Sequence, residues 1–365
     1  MIGGGTGAFI GAVHRTAMRL DAGLTSLDAG ALSSDPRRAL ASAEHLGIPR
    51  AYGSAKEMLE TEAELPADQR IEAVSIVTPN HTHAEFAVAC LDAGFHVVLD
   101  KPMATSIAEC DTITKAVQRS RKTVTVTYNY SGYPLIREAQ SLVASGTLGT
   151  IRRVQVEYIQ GWLATDLESA GNKQAGWRTD PRLAGAGALG DIGTHAEHLV
   201  AFVTGMRPTK LFADVATHIP GRRVDDDNTI LFKYDTGARG ALTVSQICIG
   251  EENGLSLRVY GDKASILWHQ ESPNTLELRM LEGDRRIITR GAASSYGASD
   301  ATRIPPGHPE GFHEAFANIY RGAVERIRGL ESTLEALAPT ESDGAHGVAF
   351  VEACLASKGN WVSLH

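Results

Sequence analysis

Short apolar runs and helical segments alternate over the first third of the chain. The apolar runs cover residues 27–33, 73–78, 96–100 and 123–127. Helix-start patterns lie between them: Asp35 precedes Pro36, and Ser54, Thr82 and Ser106 each stand three positions before a glutamate. Because such residues cap helices, the pattern predicts parallel strands joined by crossover helices, in a doubly wound α/β sheet.

The pattern changes near residue 146, beyond which strand-like runs follow one another. These runs alternate apolar and polar residues and cover 151–158, 211–217, 229–234, 241–247, 255–260, 265–269 and 275–281. Turn-forming residues separate them, so we predict a second domain with a large open sheet, mostly antiparallel but mixed. Helical patterns at 308–328 and 343–357 close the chain. We place the two domains at residues 1–128 and 129–365.

Composition narrows the class of partner. The 365 residues carry a formal net charge of -8, and 43% of them are hydrophobic. An acidic globular protein is not expected to bind nucleic acid or an anionic membrane surface, because both require basic patches. The four cysteines lie far apart in the sequence, which indicates reduced thiols rather than a disulfide framework. With no apolar stretch of bilayer length and no leader pattern, we expect a cytoplasmic protein.

A glycine-rich segment opens the chain. It runs from Gly3 to His14 and leads into a predicted helix. Closely spaced glycines let backbone amides approach a pyrophosphate, and a helix N-terminus stabilises its charge. We therefore predict that this turn binds a dinucleotide, through Gly3, Gly5, Thr6, Gly7, Phe9, Ile10 and Gly11. Only two residues precede Gly3, so either the first strand is a short stub or the natural start lies upstream.

Polar residues follow three of the predicted strands, at the edge where open α/β sheets bind ligands. After the second strand, Ser33 and Arg38 stand where an acidic residue usually binds the adenosine ribose, so the cofactor is left as NAD or NADP. The alternative is that Arg38 is simply a solvated helix residue. The next two strand ends carry further candidates for cofactor contacts, namely Thr78, Pro79, Asn80, His83, Asp100 and Lys101.

A second glycine-rich segment, residues 185–193, leads into an apolar helix that carries Asp191 and His195. Residues four apart lie on one helical face, and histidine accepts a hydroxyl proton near neutral pH. The alternative is structural, with Asp191 capping the helix and His195 satisfied in the core. A zinc site from Asp191, His195 and His198 has no ligand from a second segment, so we predict no metal.

These motifs, in this order, resemble the glucose-fructose oxidoreductase and inositol dehydrogenase family (Gfo/Idh/MocA). The resemblance implies an N-terminal Rossmann domain, a C-terminal domain whose open sheet serves oligomer contacts, and sugar, inositol or related polyol substrates. It implies catalytic roles for Lys101, Asp191 and His195, with His195 as the acid/base. Asp100 replaces the usual glutamate of that family, and the glycine turn is longer than its common spacing.

Substrate selection is expected from the second domain and the loop that follows the fifth strand. The candidate contacts are Lys101, Asn129, Tyr130, Trp177, Arg178, Asp191 and His195. We expect a homo-oligomer, a dimer or tetramer, with a small-molecule substrate. Two alternatives stay open: a dinucleotide-binding sensor without catalysis, and a sugar–sugar oxidoreductase that never releases NADP.

Overall fold

The computed structural model describes residues 1–293 and 295–364. The chain divides into two compact units. The first unit contains Met1–Asn129 together with Phe312–Ala345, and the second contains Tyr130–Gly311 together with the residues from His346 onward. The last third of the chain therefore contributes to both units.

Thirteen α-helices are present in the described residues. They are α1 (Phe9–Leu20), α2 (Pro36–His45), α3 (Ala55–Glu64), α4 (His83–Asp92), α5 (Ile107–Ser120), α6 (Pro134–Ala144), α7 (Lys173–Arg178), α8 (Pro181–Ala184), α9 (Thr194–Thr204), α10 (Tyr296–Asp300), α11 (Phe312–Ile327), α12 (Thr333–Ala336) and α13 (Glu341–Ser357). Short 3₁₀ turns cover Asn80–Thr82, Asn129–Gly132 and Arg290–Ala292, and a π-helical turn covers Leu189–Gly193.

Fifteen strands are present in the same residues. They are β1 (Ile2–Gly3), β2 (Ala29–Gly30), β3 (Arg50–Ala51), β4 (Ala73–Val77), β5 (His96–Leu99), β6 (Val124–Val126), β7 (Ile151–Ile159), β8 (Lys210–Ala216), β9 (Asp227–Lys233), β10 (Arg239–Ser245), β11 (Gly254–Gly261), β12 (Ala264–His269), β13 (Thr275–Met280), β14 (Arg285–Thr289) and β15 (Val362–Ser363).

The first unit has a parallel sheet, as the sequence predicts. Its strand order is β1-β4-β5-β6, and a separate parallel pair joins β2 to β3. A parallel bridge between Ile2 and Ala31 links the two, which gives the order 3-2-1-4-5-6 of dinucleotide-binding folds. The first strand has two residues in this chain, and the 27–33 run pairs only at Ala29–Gly30 before bridging.

All four predicted helix starts are confirmed in position. Asp35 accepts a hydrogen bond from the N–H of Arg38, and Ser54 and Ser106 accept from the N–H groups three residues later. Thr82 occupies the N-cap position of α4 as predicted, but the predicted capping hydrogen bond of its side chain is not made. A 3₁₀ turn precedes α4 there, and the Thr82 hydroxyl donates to Thr78 Oγ1 and to the carbonyl of Pro79 instead.

Helix α11 completes the core of the first unit although it lies almost 300 residues after α1, as their bounds Phe9–Leu20 and Phe312–Ile327 show. Phe316 and Tyr320 of α11 are buried in one apolar cluster with Val13 and Ala17 of α1. The apolar face of α11 is thus covered by α1, since an amphipathic helix is stabilised chiefly by burying that face. The sequence predicts the helix but not this partner.

The second unit contains a nine-stranded mixed sheet, which confirms the predicted class. Its order is β14-β13-β12-β11-β7-β10-β9-β8-β15. Every pairing is antiparallel except β7 with β10, which is parallel from Arg153/Arg239 to Ile159/Ser245. All seven predicted strands are present. The edge strands β14 and β15 were not predicted, because β14 is mostly polar or exposed and β15 has two residues.

The two faces of this sheet differ. On one face, alternate residues of β7, Val154, Val156 and Tyr158, are buried, and helices α6 and α9 pack on this part of the sheet. On the other face, Leu231 and Ile287 are 41% and 50% exposed. The strand registers place the side chains of Leu231 and Ile287 in one row across the sheet.

Candidate active site

The glycine turn between β1 and α1 is packed so closely that side chains are excluded. A Cβ on Gly11 would lie 2.4 Å from the carbonyl oxygen of Gly4, and one on Gly5 would lie 2.7 Å from that of Leu32. Gly3 and Gly4 have φ angles of 79° and 70°, a region that favours glycine. These constraints explain the glycine-rich sequence and bring the start of α1 against the turn.

The start of α1 suits an anionic ligand. Ala8 occupies the N-cap position of α1. An alanine side chain cannot accept a hydrogen bond, so the first-turn amides of α1 are left to another acceptor. A dinucleotide pyrophosphate fits this arrangement because the helix dipole also favours negative charge there. Thr6, by contrast, directs its backbone N–H to Ser42 Oγ at 3.2 Å.

The segment after β2 offers hydroxyl and guanidinium groups rather than a carboxylate. The Asp35 Oδ1 atom accepts the N–H of Arg38 at 2.9 Å and so caps α2. Ser33 Oγ in turn accepts the N–H of Asp35 at 3.2 Å. The Asp35 carboxylate is therefore committed to the helix, while the Arg38 side chain is exposed.

Asp100, directly after β5, is held by several groups of the first unit. Its Oδ1 accepts the Thr127 hydroxyl at 2.9 Å and lies 3.8 Å from His14 Nε2. The other ring nitrogen of His14 is 2.8 Å from Tyr320 Oη and 3.2 Å from Ser75 Oγ. Burial acts to raise the pKa of Asp100, but nearby His14 and the charge of neighbouring Lys101 hold that pKa below its ordinary range.

His83 is buried between the segments that follow β4 and β5, rather than facing solvent. It is fully buried, and its ring nitrogens lie 2.8 Å from the carbonyl oxygen of Pro102 and 2.9 Å from that of Thr78. Burial lowers the pKa of His83, with nearby Asp100 opposing that shift. The Lys101–Pro102 peptide bond is cis, and Lys101 itself is half-buried at the end of β5. His83 thus fixes Thr78 relative to the loop that carries Lys101.

In the second unit, Asp191 and His195 lie on a π turn followed by α9. The sequence predicts one regular helix here, which is wrong for its first turn. The N–H of Thr194 bonds to the carbonyl of Leu189, five residues back. The segment before this turn is anchored by Asp225, whose carboxylate accepts the N–H groups of Gly187 at 2.7 Å and Leu189 at 2.8 Å.

Asp191 contacts side chains from two other elements. Its Oδ2 accepts a hydrogen bond from Gln246 Nε2 at 2.9 Å and lies 3.6 Å from Arg178 Nε. The guanidinium of Arg178 packs over the ring of Trp177, 4.3 Å from its centroid, and donates to Gln174 Oε1. The Asp191 carboxylate is therefore oriented from two directions.

His195 is buried beside two tyrosines. Its ring meets that of Tyr130 edge-on, with centroids 4.9 Å apart, and the ring of Tyr158 lies 6.4 Å away. The hydroxyls of Tyr130 and Tyr158 are 2.5 Å apart. Burial raises the pKa of both phenols, and the charge of Asp191 adds to the shift. An imidazole next to two neutral phenols, in a unit that also holds the Asp191 carboxylate in a fixed orientation, is suited to proton transfer.

The second unit brings Tyr130, Arg178, Asp191 and His195 into one cluster, and Trp177 joins it through Arg178. Asn129 lies in the first unit, 1% exposed. Within residues 1–293 and 295–364, no acceptor is within hydrogen-bonding distance of its buried Nδ2.

Sequence reasoning missed five polar members of these sites. Tyr158 was detectable, as the one hydroxyl-bearing residue on the buried face of the β7 pattern. The others are distant in sequence from their partners and gave no local pattern: His14, Gln160, Gln246 and Asn253.

A metal-binding cluster and a membrane-spanning helix are both absent from residues 1–293 and 295–364. Among them no group of three or more His, Cys, Asp or Glu side chains is placed to hold a metal ion. In the same part of the chain, no helix has the length and apolar character needed to cross a bilayer.

Comparison with known proteins identifies the family. A model of the GFO/IDH/MocA oxidoreductase family, with an NAD-binding Rossmann fold, matches residues 1–128. A model of the GFO/IDH/MocA C-terminal domain matches residues 136–267. The chain belongs to the Gfo/Idh/MocA family. The resemblance stated from the sequence motifs is thereby confirmed, as are the fold class and the NAD-binding character of the Rossmann fold.

Relatives within this family match over nearly the full chain. The uncharacterized oxidoreductase YfiI of Bacillus subtilis (strain 168) is 33% identical over 368 residues, which cover 98% of this chain and 93% of that protein. A crystal structure of an inositol dehydrogenase homolog from Azotobacter vinelandii, complexed with NAD+, is 35% identical with a TM-score of 0.93, over 100% of this chain and 96% of that one. Another structure under that name, complexed with NADH and myo-inositol, is 33% identical with a TM-score of 0.91 over the same shares.

Proposed function

We propose that this Gfo/Idh/MocA protein is an NAD(P)-dependent dehydrogenase that acts on a hydroxyl-bearing carbon of a sugar, an inositol or a related polyol. The observation that carries the proposal is one polar network of the second unit. The buried imidazole of His195 packs against Tyr130, and the Asp191 carboxylate is held by Gln246 and Arg178. Hydrogen bonds through Gln246, Gln160 and Asn253 connect Asp191 to Tyr130. A protein that only binds a dinucleotide has no need of such a proton-transfer group.

The first unit is proposed to hold the dinucleotide. The residues for it are the glycine turn with Gly3, Gly5 and Gly11, the start of α1, and the strand ends with Thr78 and Asn80. The close packing around Gly11 and the uncapped helix start support this assignment. When bound, the oxidised nicotinamide supplies a hydride acceptor. NAD and NADP are both retained, since Asp35 is committed to capping α2 and Arg38 is exposed.

Three side chains are proposed to act on the substrate. His195 accepts the proton of the reacting hydroxyl as its carbon loses a hydride, and returns it in the reverse reaction. The Lys101 ammonium hydrogen-bonds the same oxygen and favours its alkoxide form. Asp191 binds the substrate hydroxyls and orients them, because a carboxylate accepts two hydrogen bonds at once.

The proposed substrate class follows from the groups around His195. The carboxylate of Asp191 is a hydrogen-bonding partner for a polyhydroxylated molecule, and Trp177 offers an aromatic face. The name of the Azotobacter vinelandii relative, which was crystallised with NADH and myo-inositol, supports a cyclic polyol or sugar.

The test is a steady-state assay. The protein is mixed with NAD+ or NADP+ and a panel of inositols, aldoses and anhydrosugars, and the absorbance of the reduced cofactor is followed. We expect turnover with at least one member and a loss of about 10²- to 10⁴-fold for Lys101→Ala, with cofactor affinity kept. A protein that binds cofactor but turns over no member would contradict the proposal.

We also propose a homo-oligomer formed through the exposed face of the nine-stranded sheet. The support is the row that includes Leu231 and Ile287, which are large, apolar and solvent-exposed in this chain. Light scattering coupled to size-exclusion chromatography should give the mass of a dimer or tetramer. A monomeric mass at micromolar concentration would contradict this part of the proposal.

A further inference from the structure

A chain of polar side chains begins at Asp191 and runs through the second unit. Gln246 Nε2 donates to Asp191 Oδ2 at 2.9 Å and to Gln160 Oε1 at 3.4 Å. Gln246 is 2% exposed and follows β10 directly. A carboxylate only accepts hydrogen bonds, so the amide of Gln246 must turn its NH₂ group towards Asp191. The negative charge of Asp191 thereby fixes the orientation of Gln246.

That orientation determines the next amides in turn. Because Gln160 presents its oxygen to Gln246, its Nε2 is directed to Asn253 Oδ1, at 2.9 Å. Asn253 then presents its Nδ2 to Tyr130 Oη at 3.3 Å and to Gln270 Oε1 at 3.0 Å. Each amide has one oxygen and one NH₂ group, so the direction of every bond follows from the first.

The two tyrosine hydroxyls are ordered by the same rule. Tyr158 donates its proton to Asn253 Oδ1 at 2.8 Å. Since Tyr130 Oη already accepts from Asn253, its own proton is directed to Tyr158 Oη, 2.5 Å away. Both phenol protons are thus committed inside the network. Neither tyrosine is placed to exchange a proton with substrate, which leaves that task to His195.

We infer that Gln246 is a positioning residue, which fixes the Asp191 carboxylate and, through Gln160 and Asn253, orients the two hydroxyls beside His195. This inference rests on the proposed function, because Asp191 is assigned there as a substrate-binding group. Gln246 itself is not a catalytic residue. It acts by restricting Asp191 to the orientation in which the carboxylate oxygens face a bound polyol.

A substitution at Gln246 acts on a carboxylate, Asp191, that already has charged and titratable groups around it. Arg178 of α7 lies 3.6 Å from the carboxylate, His195 lies one turn further along, and the phenols of Tyr130 and Tyr158 are within its electrostatic influence. A glutamate in place of Gln246 keeps the size of the side chain but faces Asp191 with a second carboxylate. Two such groups share one proton, so their repulsion is relieved as the pH falls.

The kinetic test compares Gln246→Leu and Gln246→Glu with Gln140→Leu. Gln140 is half-buried on α6 of the same unit and provides the matched control. We expect Gln246→Leu to lower kcat about 10- to 100-fold, the effect of a misplaced group, with the Kd of the dinucleotide within about twofold of wild type. For Gln246→Glu, the ratio of its kcat to that of wild type should rise as the pH falls. A purely structural role would give unfolding without that pH dependence.

Crystal structures of the wild type and Gln246→Leu provide a measurement that needs no turnover. We expect the Asp191 carboxylate to rotate away in Gln246→Leu and the Asn253–Tyr158 bond to lose its order. An unmoved Asp191, or a folded Gln246→Leu protein with wild-type kcat, would overturn the inference. The proposed function fails separately, through a wild-type protein without turnover or a Lys101→Ala variant that is fully active.

Discussion

The two units carry their parts of the proposed active site in different ways. In the first unit the ligand-binding elements are backbone: a glycine turn, an uncapped helix start and the ends of parallel strands. In the second unit they are side chains from α7, α9, β7 and two loops, linked by hydrogen bonds. A site built from backbone depends on steric fit, so we expect a single added side chain to disrupt it. A site built from a side-chain network is expected to lose activity in steps, as its members are removed one at a time.

The largest effect is expected for His195→Ala in the second unit. Loss of the proton acceptor should lower kcat about 10²- to 10⁴-fold, the usual contribution of a general base. The Kd of the cofactor, measured by calorimetry, should stay unchanged because the glycine turn is untouched. His269→Ala serves as the control, since His269 is exposed at the end of β12. An unchanged kcat would remove His195 from the mechanism.

A substitution in the backbone-built part should abolish binding instead. In Gly11→Val, atoms added at Cβ would lie within 2.5 Å of both the Cα and the carbonyl oxygen of Gly4. We expect the Kd of the dinucleotide to rise at least about 100-fold, or ~2.7 kcal/mol, because the turn must shift. Gly176→Ala is the control, since nothing lies within 4 Å of a Cβ added there. Wild-type affinity in Gly11→Val would contradict the steric account.

Asp100 is a side chain of the first unit whose contacts reach α1 and the residue that follows β6, so Asp100→Asn sharpens the comparison. The folded-state pKa of Asp100 is held below its ordinary value. Its ionised form therefore stabilises the fold above pH of about 4, and this contribution is lost as the pH falls through the ordinary value towards the folded one.

At neutral pH we expect Asp100→Asn to reduce the free energy of unfolding by about 1–3 kcal/mol, as for a buried group that leaves partners unsatisfied. Urea unfolding between neutral and acidic pH is the measurement. The difference from wild type should shrink as the pH falls below about 4. Asp111→Asn, at an exposed position of α5, should show no such trend. A difference independent of pH would contradict the assignment.

The smallest effect is expected for Arg38→Ala. Its exposed guanidinium is proposed to attract the 2′-phosphate of NADP, and an exposed ion pair contributes at most about 1 kcal/mol. The Kd for NADP+ should rise up to about fivefold, with the Kd for NAD+ unchanged as the internal control. Equal weakening of both cofactors would show that Arg38 contacts a part that they share.

The sequence predicts what depends on neighbours along the chain. The helix caps at Asp35, Ser54 and Ser106 follow from a few adjacent residues, and the structure confirms them. Thr82 fits the capping pattern as well as they do. Its side chain does not cap α4, because its hydroxyl donates instead to Thr78 and to the carbonyl of Pro79. Both residues lie just before the 3₁₀ turn that precedes α4.

Features that need distant residues escape prediction. Gln246 lies 55 positions after Asp191, and Asn253 lies 95 after Tyr158, so no local pattern marks either pair. The π turn at Leu189–Gly193 also escapes prediction because it depends on a distant residue. The segment that leads into it is anchored by Asp225, in the chain just before β9. Catalytic residue types are readable from the sequence, but the groups that orient them are visible only in the fold.

The late position of α11 bears on how the protein is made. During synthesis the glycine turn and the parallel strands leave the ribosome early, yet Phe316 and Tyr320, which cover α1, are translated near the end. Of these two, Tyr320 also hydrogen-bonds His14. The nascent nucleotide-binding unit must therefore wait, with apolar surface uncovered, while eight of the nine strands of the large sheet, β7 to β14, are being synthesised. A chain released before about residue 345 would be a target for chaperones and proteases rather than a smaller working protein.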